Sequence, residues 1–282
     1  MNPLVMQLVG KIDRIFYPQS CLDPAGELSI QALARTCGLS RFQLQRLFKK
    51  ETGISPQQFI AAQRLDAAAA YVRLTNQPLL DVAISMGYCG QQSFTRAFTR
   101  RWGVSPQRMR LSARAQYAGL GAAHAGPPAA PRIVHWRAPR RLWLKRYTGP
   151  YARVPEHWAG FKGELAGLAQ CAKPPYYGVI YDDPDITPPQ RIRYGCAIEA
   201  PANGHATPEG WLELDIAPSR FAVFPLHRCC RTGRARLRSR VLSWFAAQRE
   251  SFGAAGVFEL YEDLPAGEQR ARAMQLHVSL AN

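Results

Sequence analysis

Apolar residues recur at helical spacing through the first 112 positions, and in short strand-like runs after position 131. Phe59, Ala62, Leu65, Ala69 and Val72 mark one buried stripe of a long helix predicted from Ser55 to about Thr75. Its start is written as Ser55-Pro56-Gln57-Gln58: a serine N-cap, proline at the first helical position and glutamine at the third. Ser29 can cap an earlier helix holding Ile30, Leu33 and Ala34, which Gly38 ends; Ser40 with Gln43 then forms a capping box for the next. In that helix Leu44, Leu47 and Phe48 form the inward stripe. Leu4, Val5, Leu8, Val9 and Ile12 predict an amphipathic N-terminal helix, which Lys11, Asp13 and Arg14 make too charged for a signal or membrane segment.

Part of this pattern occurs twice. Ala34, Gly38, Leu44, Phe48 and Gly53-Ile54-Ser55-Pro56 return about fifty residues later as Ala83, Gly87, Phe94, Phe98 and Gly103-Val104-Ser105-Pro106, with one residue inserted after Gly87. A duplicated helix-turn-helix joined by one helix is a device for reading two successive DNA grooves. The connecting helix, about 20 residues, would span about 30 Å, against about 34–36 Å for one turn of duplex. On the first recognition helix, opened by Ser40 and Arg41, the outward set is Phe42, Gln45, Arg46 and Lys49, at i, i+3, i+4 and i+7. On the second it is Gln91, Gln92, Thr95, Arg96 and Thr99, with Arg100 and Arg101 suited to phosphates. Arginine pairs with guanine, glutamine with adenine, and an aromatic ring can meet a thymine methyl. Merely solvated faces of a helical bundle would leave the paired glycine turns and paired Ser-Pro starts unexplained. The packing residues are duplicated and the outward residues are not, so one chain should read an asymmetric site as a monomer.

Ser112 to Pro131, with Gly119, Gly121, Gly126 and Pro127-Pro128, predicts a linker, giving domains at 1–112 and 132–282 around a connector at 113–131. Downstream, Leu142–Leu144, Tyr177–Tyr181, Ile192–Ile198, Arg220–Phe224, Val257–Tyr261 and Met274–Leu280 read as strands, and Pro155–Leu168 and Arg234–Gln248 as helices. The order is strand–helix–strand–strand, twice. The expected fold is an all-α tandem helix-turn-helix domain followed by an α+β domain of two β-α-β-β repeats, one antiparallel sheet with two helices on one face. The other face would be free to curve around a ligand, with Tyr147, Tyr151, Trp158, Tyr177, Trp211, Phe224, Trp244 and Tyr261 as lining candidates, at least half of them expected in the core. In Val257-Phe258-Glu259-Leu260-Tyr261 the alternation puts Glu259 with Val257 and Tyr261 on that concave face. A carboxylate there is costly unless paired or solvated. A cationic aromatic ligand would pair with it; so would an arginine of the domain itself.

Length suits two domains, and the net charge of +16 makes a polyanion a natural partner. The seven cysteines include no Cys-x-x-Cys pair and the six histidines no zinc spacing, so no metal or cofactor is expected and a reducing cytoplasm is the simplest setting. Cys229 and Cys230, between arginines, either have lowered thiol pKa values and sense oxidants or are ordinary cysteines. Arg234, Arg236, Arg238 and Arg240 suit DNA, an acidic partner, an anionic ligand or a solvated helix face.

Residues from about 5 to 112, through Gly38-Leu-Ser-Arg-Phe-Gln-Leu-Gln-Arg-Leu-Phe48 and Gln91-Gln-Ser-Phe-Thr-Arg-Ala-Phe98, resemble the DNA-binding domain of AraC-family transcription regulators. The resemblance implies base contacts from Phe42, Gln45 and Arg46, and from Gln91, Gln92, Ser93 and Arg96. Phe42 stands where relatives carry tryptophan, keeping a flat apolar surface without the indole donor. Residues from about 132 to 282 resemble the GyrI-like small-molecule-binding family through Tyr147-Thr-Gly-Pro-Tyr151, Tyr181-Asp-Asp-Pro184 and Phe258-Glu-Leu-Tyr261. That implies a ligand cavity holding Glu259, with the Tyr181–Pro184 run shaping a hairpin. The second repeat departs from the pattern: His227-Arg-Cys-Cys-Arg231 replaces Gly149-Pro150-Tyr151.

Together these readings imply a regulator binding double-stranded promoter DNA, with a second domain that takes a hydrophobic small molecule, cationic being one option, and couples occupancy to transcription, contact with RNA polymerase being one route. The alternatives are a GyrI-like hydrolase of reactive small molecules, with Glu259 as base and Tyr147 or Tyr151 as positioner, and an architectural DNA binder whose second domain contacts protein.

Overall fold

The computed structural model describes residues 2–16, 28–75, 77–122, 130–168, 173–184, 187–201, 205–226, 233–248, 250, 252–265 and 274–281. It divides into two compact units, Met1–Ser112 and Ala113–Asn282.

The first unit is helical: α1 (Pro3–Phe16), α2 (Ile30–Thr36), α3 (Arg41–Thr52), α4 (Pro56–Leu74), α5 (Leu79–Ser85), α6 (Gln91–Trp102) and the start of α7 (Pro106–Ala122). Ser40 and Ser55 both form complete capping boxes, with Gln43 and Gln58. Gly53 (φ 81°) and Gly103 (φ 72°) end α3 and α6 in the left-handed region, where glycine avoids the Cβ clash. The first motif packs Leu33, Ala34, Leu44 and Phe48 onto Val5, Leu8, Val9 and Ile12 of α1 and Ile60 of α4. In the second, Val82, Ala83, Met86, Phe94 and Phe98 are buried, as are Ala68, Ala69 and Val72 of α4. The shared connector α4 has 19 residues, about 28 Å of helix. Helix α7 runs on to Ala122, into the stretch expected as linker; Gly119 and Gly121 do not stop it, because an interior glycine costs only about 1 kcal/mol against alanine.

The second unit contains β1 (Arg132–Trp136), β2 (Arg140–Thr148), α8 (Val154–Leu165), β3 (Tyr176–Ile180), β4 (Arg193–Glu199), β5 (Leu212–Ile216), β6 (Ser219–Leu226), α9 (Gly233–Gln248), β7 (Phe252–Tyr261) and β8 (Met274–Leu280). The strands form one eight-stranded sheet in the order β1-β6-β8-β7-β3-β4-β2-β5, each pair antiparallel. The two expected β-α-β-β units are β2-α8-β3-β4 and β6-α9-β7-β8, meeting at β3 and β7. Each is preceded by a strand absent from the sequence reading, and each such strand crosses to the edge of the other unit: β1 pairs with β6, and β5 with β2. Edge strand β1 leaves Arg132, Ile133 and His135 exposed, which blurs its alternation. Strand β5 (Leu-Glu-Leu-Asp-Ile) does alternate, and that signal was readable.

Candidate functional site

The outward surface of α3 is open. Phe42 is 68% exposed, with the Arg41 guanidinium 4.8 Å from its ring centre. Arg46 and Lys49 are exposed and Gln45 is half-buried, while Leu44 and Phe48 point into the core. The Ser40 hydroxyl oxygen is engaged as N-cap, accepting the Gln43 N–H at 3.3 Å. On α6, Gln91, Gln92, Arg96 and Arg100 are exposed, and Ser93, Thr95 and Thr99 are half-buried. Ser93 donates its hydroxyl to the Gly90 carbonyl at 2.8 Å, turning it toward its own backbone. Arg101 departs from its expected phosphate role: it forms a two-point pair with Asp66 of α4. Its position one turn past Ala97 brings it back toward α4, where a carboxylate is waiting.

In the second unit the expected lining residues divide between the two faces of the sheet. Glu259 is 3% exposed and lies under α8 rather than on the face away from the helices. Alternation shows which residues share a face; it does not show which face the helices cover. Glu259 Oε2 accepts hydrogen bonds from the hydroxyls of Tyr194 (2.5 Å) and Tyr261 (2.7 Å), and Trp158 of α8 donates its indole N–H to the Tyr194 oxygen at 3.2 Å. Glycine is required opposite: a Cβ at Gly178 would overlap the Tyr194 hydroxyl and come within 3.0 Å of Glu259 Oε2. Tyr151 meets Tyr194 edge-on at 5.9 Å, and Trp211 meets Phe161 of α8 at 5.1 Å. Tyr147 stacks on His157 of α8, with centroids 4.7 Å apart and planes 9° apart. Its hydroxyl is buried with no hydrogen-bond partner.

Burial sets the electrostatics of this layer. It pushes the Tyr147 hydroxyl well above the usual phenol range, with Cys196 and Glu164 adding to the effect. It raises the Cys196 thiol, with Glu259 second, and lowers His157, with Arg153 second. Near neutral pH all three are uncharged.

Tyr177 faces the other way, one residue out of phase with the Gly178–Glu259 pair. Its hydroxyl donates to Glu199 Oε1 at 2.6 Å and accepts from Arg140 at 2.9 Å, and Arg140 also pairs with Glu199. Trp136 packs there against Tyr177, Phe221, Phe258 and His277. Buried Phe224 meets the half-buried Trp244 of α9 edge-on at 5.8 Å, a packing contact between helix and sheet. In the Tyr181–Pro184 run, Asp182 accepts the Arg193 backbone N–H at 2.7 Å and pairs with its guanidinium at 2.6 Å, fixing the approach to β4. Cys229 and Cys230, with His227 to Arg231, lie outside the described residues, as do the side chains of Arg234, Arg236 and Arg238.

Residues 33–112 match the family of helix-turn-helix domains, and residues 130–273 match the GyrI-like small molecule binding domain. The chain belongs to the AraC family, in a form that carries a GyrI-like domain. Its AraC-type part is 40% identical over 85 residues to the Right origin-binding protein of Escherichia coli (strain K12), covering 30% of this chain and 29% of that protein. It is 35% identical over 85 residues to the Multiple antibiotic resistance protein MarA of Salmonella typhimurium, covering 30% of this chain and 67% of that one. The alignment thus spans less than a third of the first relative. Among solved structures, the C-terminal domain of AraT, a response regulator from Geobacillus stearothermophilus, is 27% identical and covers 39% of this chain and 86% of that one, with a TM-score of 0.35. The GyrI-like assignment coincides with the sheet that holds Glu259, and the AraC-type assignment with both outward-facing helices.

Proposed function

We propose that the protein is a ligand-responsive transcription regulator of the cytoplasm. Its AraC-type domain binds promoter DNA as a monomer, with α3 and α6 in successive major grooves. The reading is carried by one observation: two recognition helices on a shared 19-residue connector expose different side chains, Phe42, Arg46 and Lys49 on one, Gln91, Gln92 and Arg96 on the other. Selection of bound duplexes from random sequence tests it. The expected product is one asymmetric bipartite site bound by a monomer, with affinity falling steeply as salt rises; a palindromic site bound by a dimer would overturn it.

The GyrI-like domain binds a hydrophobic small molecule beneath α8, and a lipophilic aromatic cation suits it best. Such a ligand would pair with Glu259 and stack on the surrounding rings. The buried Tyr147 hydroxyl supplies a further donor. Trp158 of α8 is bonded to Tyr194, the partner of Glu259, so a ligand that reaches Glu259 would disturb the seat of α8, and occupancy then has a structural consequence that can bias transcription, through RNA polymerase contact or DNA affinity. Calorimetric titration with lipophilic aromatic cations should show binding that Glu259→Gln weakens; equal binding by the variant would remove Glu259 from the site. A hydrolase would need Glu259 as a free base, whereas its Oε2 already takes two phenolic hydrogens.

A further inference from the structure

The two motifs hold their recognition helices differently. Helix α3 is fixed where it begins: Gln43 Oε1 accepts the Ser40 N–H at 2.9 Å, and Ser40 returns the bond to Gln43. Helix α6 begins at Gly90, in extended backbone, with no side-chain cap. At the far ends the partners differ: among the described residues only α6 is tied to α4 by a charged pair. Arg101 Nη2 donates to both oxygens of Asp66 at 3.0 and 3.2 Å, and its Nε donates to Oδ1 at 3.2 Å. The adjacent Trp102 donates its indole N–H to the Leu65 carbonyl at 3.3 Å, and the Arg101 guanidinium lies 5.1 Å from that indole. Both bonds reach the middle of α4. The matching positions of α3 are Glu51 and Thr52. Glu51 accepts the Asn2 N–H beside the start of α1, and Thr52 bonds the carbonyls of Phe48 and Ile54.

We infer that Asp66 is a positioning residue for DNA reading by the second motif, an inference that rests on the proposed role of α3 and α6. A planar guanidinium held by two carboxylate oxygens resists both rotation and sliding, and this pair is only 25% and 18% exposed, which limits screening by salt. Arg101 is thereby withdrawn from the DNA backbone and ties α6 to α4, the helix that also sets the spacing between motifs. Gln91 and Gln92 sit at the uncapped end and Arg96 more than a turn further in, so their aim depends on the far anchor. Two-point base contacts tolerate little misalignment.

The test is selection from random duplexes with the full chain, comparing wild type, Asp66→Asn, Arg101→Lys and the exchanged pair Asp66→Arg with Arg101→Asp. Arg96→Ala identifies the half-site read by α6. Asp66→Asn and Arg101→Lys should each lower base discrimination in that half-site about tenfold and leave the α3 half-site intact; the exchanged pair should recover part of the loss. Equal loss in both half-sites, tracking a lower melting temperature, would reduce the pair to a general brace and overturn the inference, as would unchanged selection by both single variants. If wild type selects no sequence, the DNA reading itself fails and the inference falls with it.

Discussion

The sheet carries a glutamate–tyrosine cluster on each face, and the two are built on different chemistry. Under α8, Glu259 is buried and takes its two short hydrogen bonds from phenols, Tyr194 and Tyr261. On the other face Glu199, with 44% of its side chain exposed, takes one from Tyr177 and is paired with Arg140. Phenols satisfy a carboxylate while leaving its charge in place; a guanidinium cancels it. The first arrangement is built on phenols in the interior, the second on an arginine near the surface. The difference also separates their contributions to stability: a buried hydrogen-bonded centre is sensitive to single-atom changes, whereas a half-exposed ion pair is not.

The largest effect should come from filling the space that the buried centre needs. Gly178→Ala drives a methyl into the Tyr194 hydroxyl, and Tyr194, 1% exposed, has nowhere to go. The expected cost is about 3 kcal/mol, at the upper end for overpacking, measured by urea unfolding. A loss below about 1 kcal/mol would mean that the layer under α8 is loosely packed.

Acid should act on the opposite face. Burial, then Arg132 and Arg140, pushes His277 down to about 4. An unfolded histidine titrates near 6.5, so below that pH the unfolded chain takes up a proton that the folded chain refuses. Stability is therefore full above about pH 6.5 and falls as pH drops toward 4. Between pH 7 and pH 5 the expected loss from this group is about 2 kcal/mol. His277→Phe should flatten most of that slope and leave a residue from His157, which burial also lowers. An unchanged slope would move the acid sensitivity to the α8 face.

How much of this was legible in the chain differs between the two units. In the AraC-type unit, caps, glycine turns and the inward stripe are local signals, and Ser40, Gln43, Ser55, Gln58, Leu44 and Phe48 do what their spacing implies. Arg101 was misjudged because its partner, Asp66, is 35 residues away in sequence. In the sheet, alternation grouped Glu259 with Tyr261 correctly and separated them from Phe258. It could not place α8 over them, because helix placement is decided by packing between elements distant in the chain. Tyr194, the residue that joins Glu259 to Trp158, stood in a strand predicted from its apolar run, and Gly178, opposite Glu259 on β3, was a readable sign of close approach.

The smallest effects make the sharpest test of the two-cluster comparison. Tyr194→Phe removes one hydroxyl, taking a donor from Glu259 and an acceptor from the Trp158 indole, both in a buried layer. It should cost about 1–2 kcal/mol, since groups left unsatisfied in the interior retain their desolvation penalty. Glu199→Gln keeps shape and removes the charge that faces Arg140, but water reaches both partners, so its expected cost is no more than about 0.5 kcal/mol. Adding each change to Glu259→Gln completes the measurement. Tyr194→Phe should be strongly non-additive with Glu259→Gln because the two share a hydrogen bond, and Glu199→Gln should add to it independently across the sheet. Additivity in the first pair would mean that the Tyr194 hydroxyl does not hold the Glu259 carboxylate in solution, and the distinction between the two faces would then rest on burial alone.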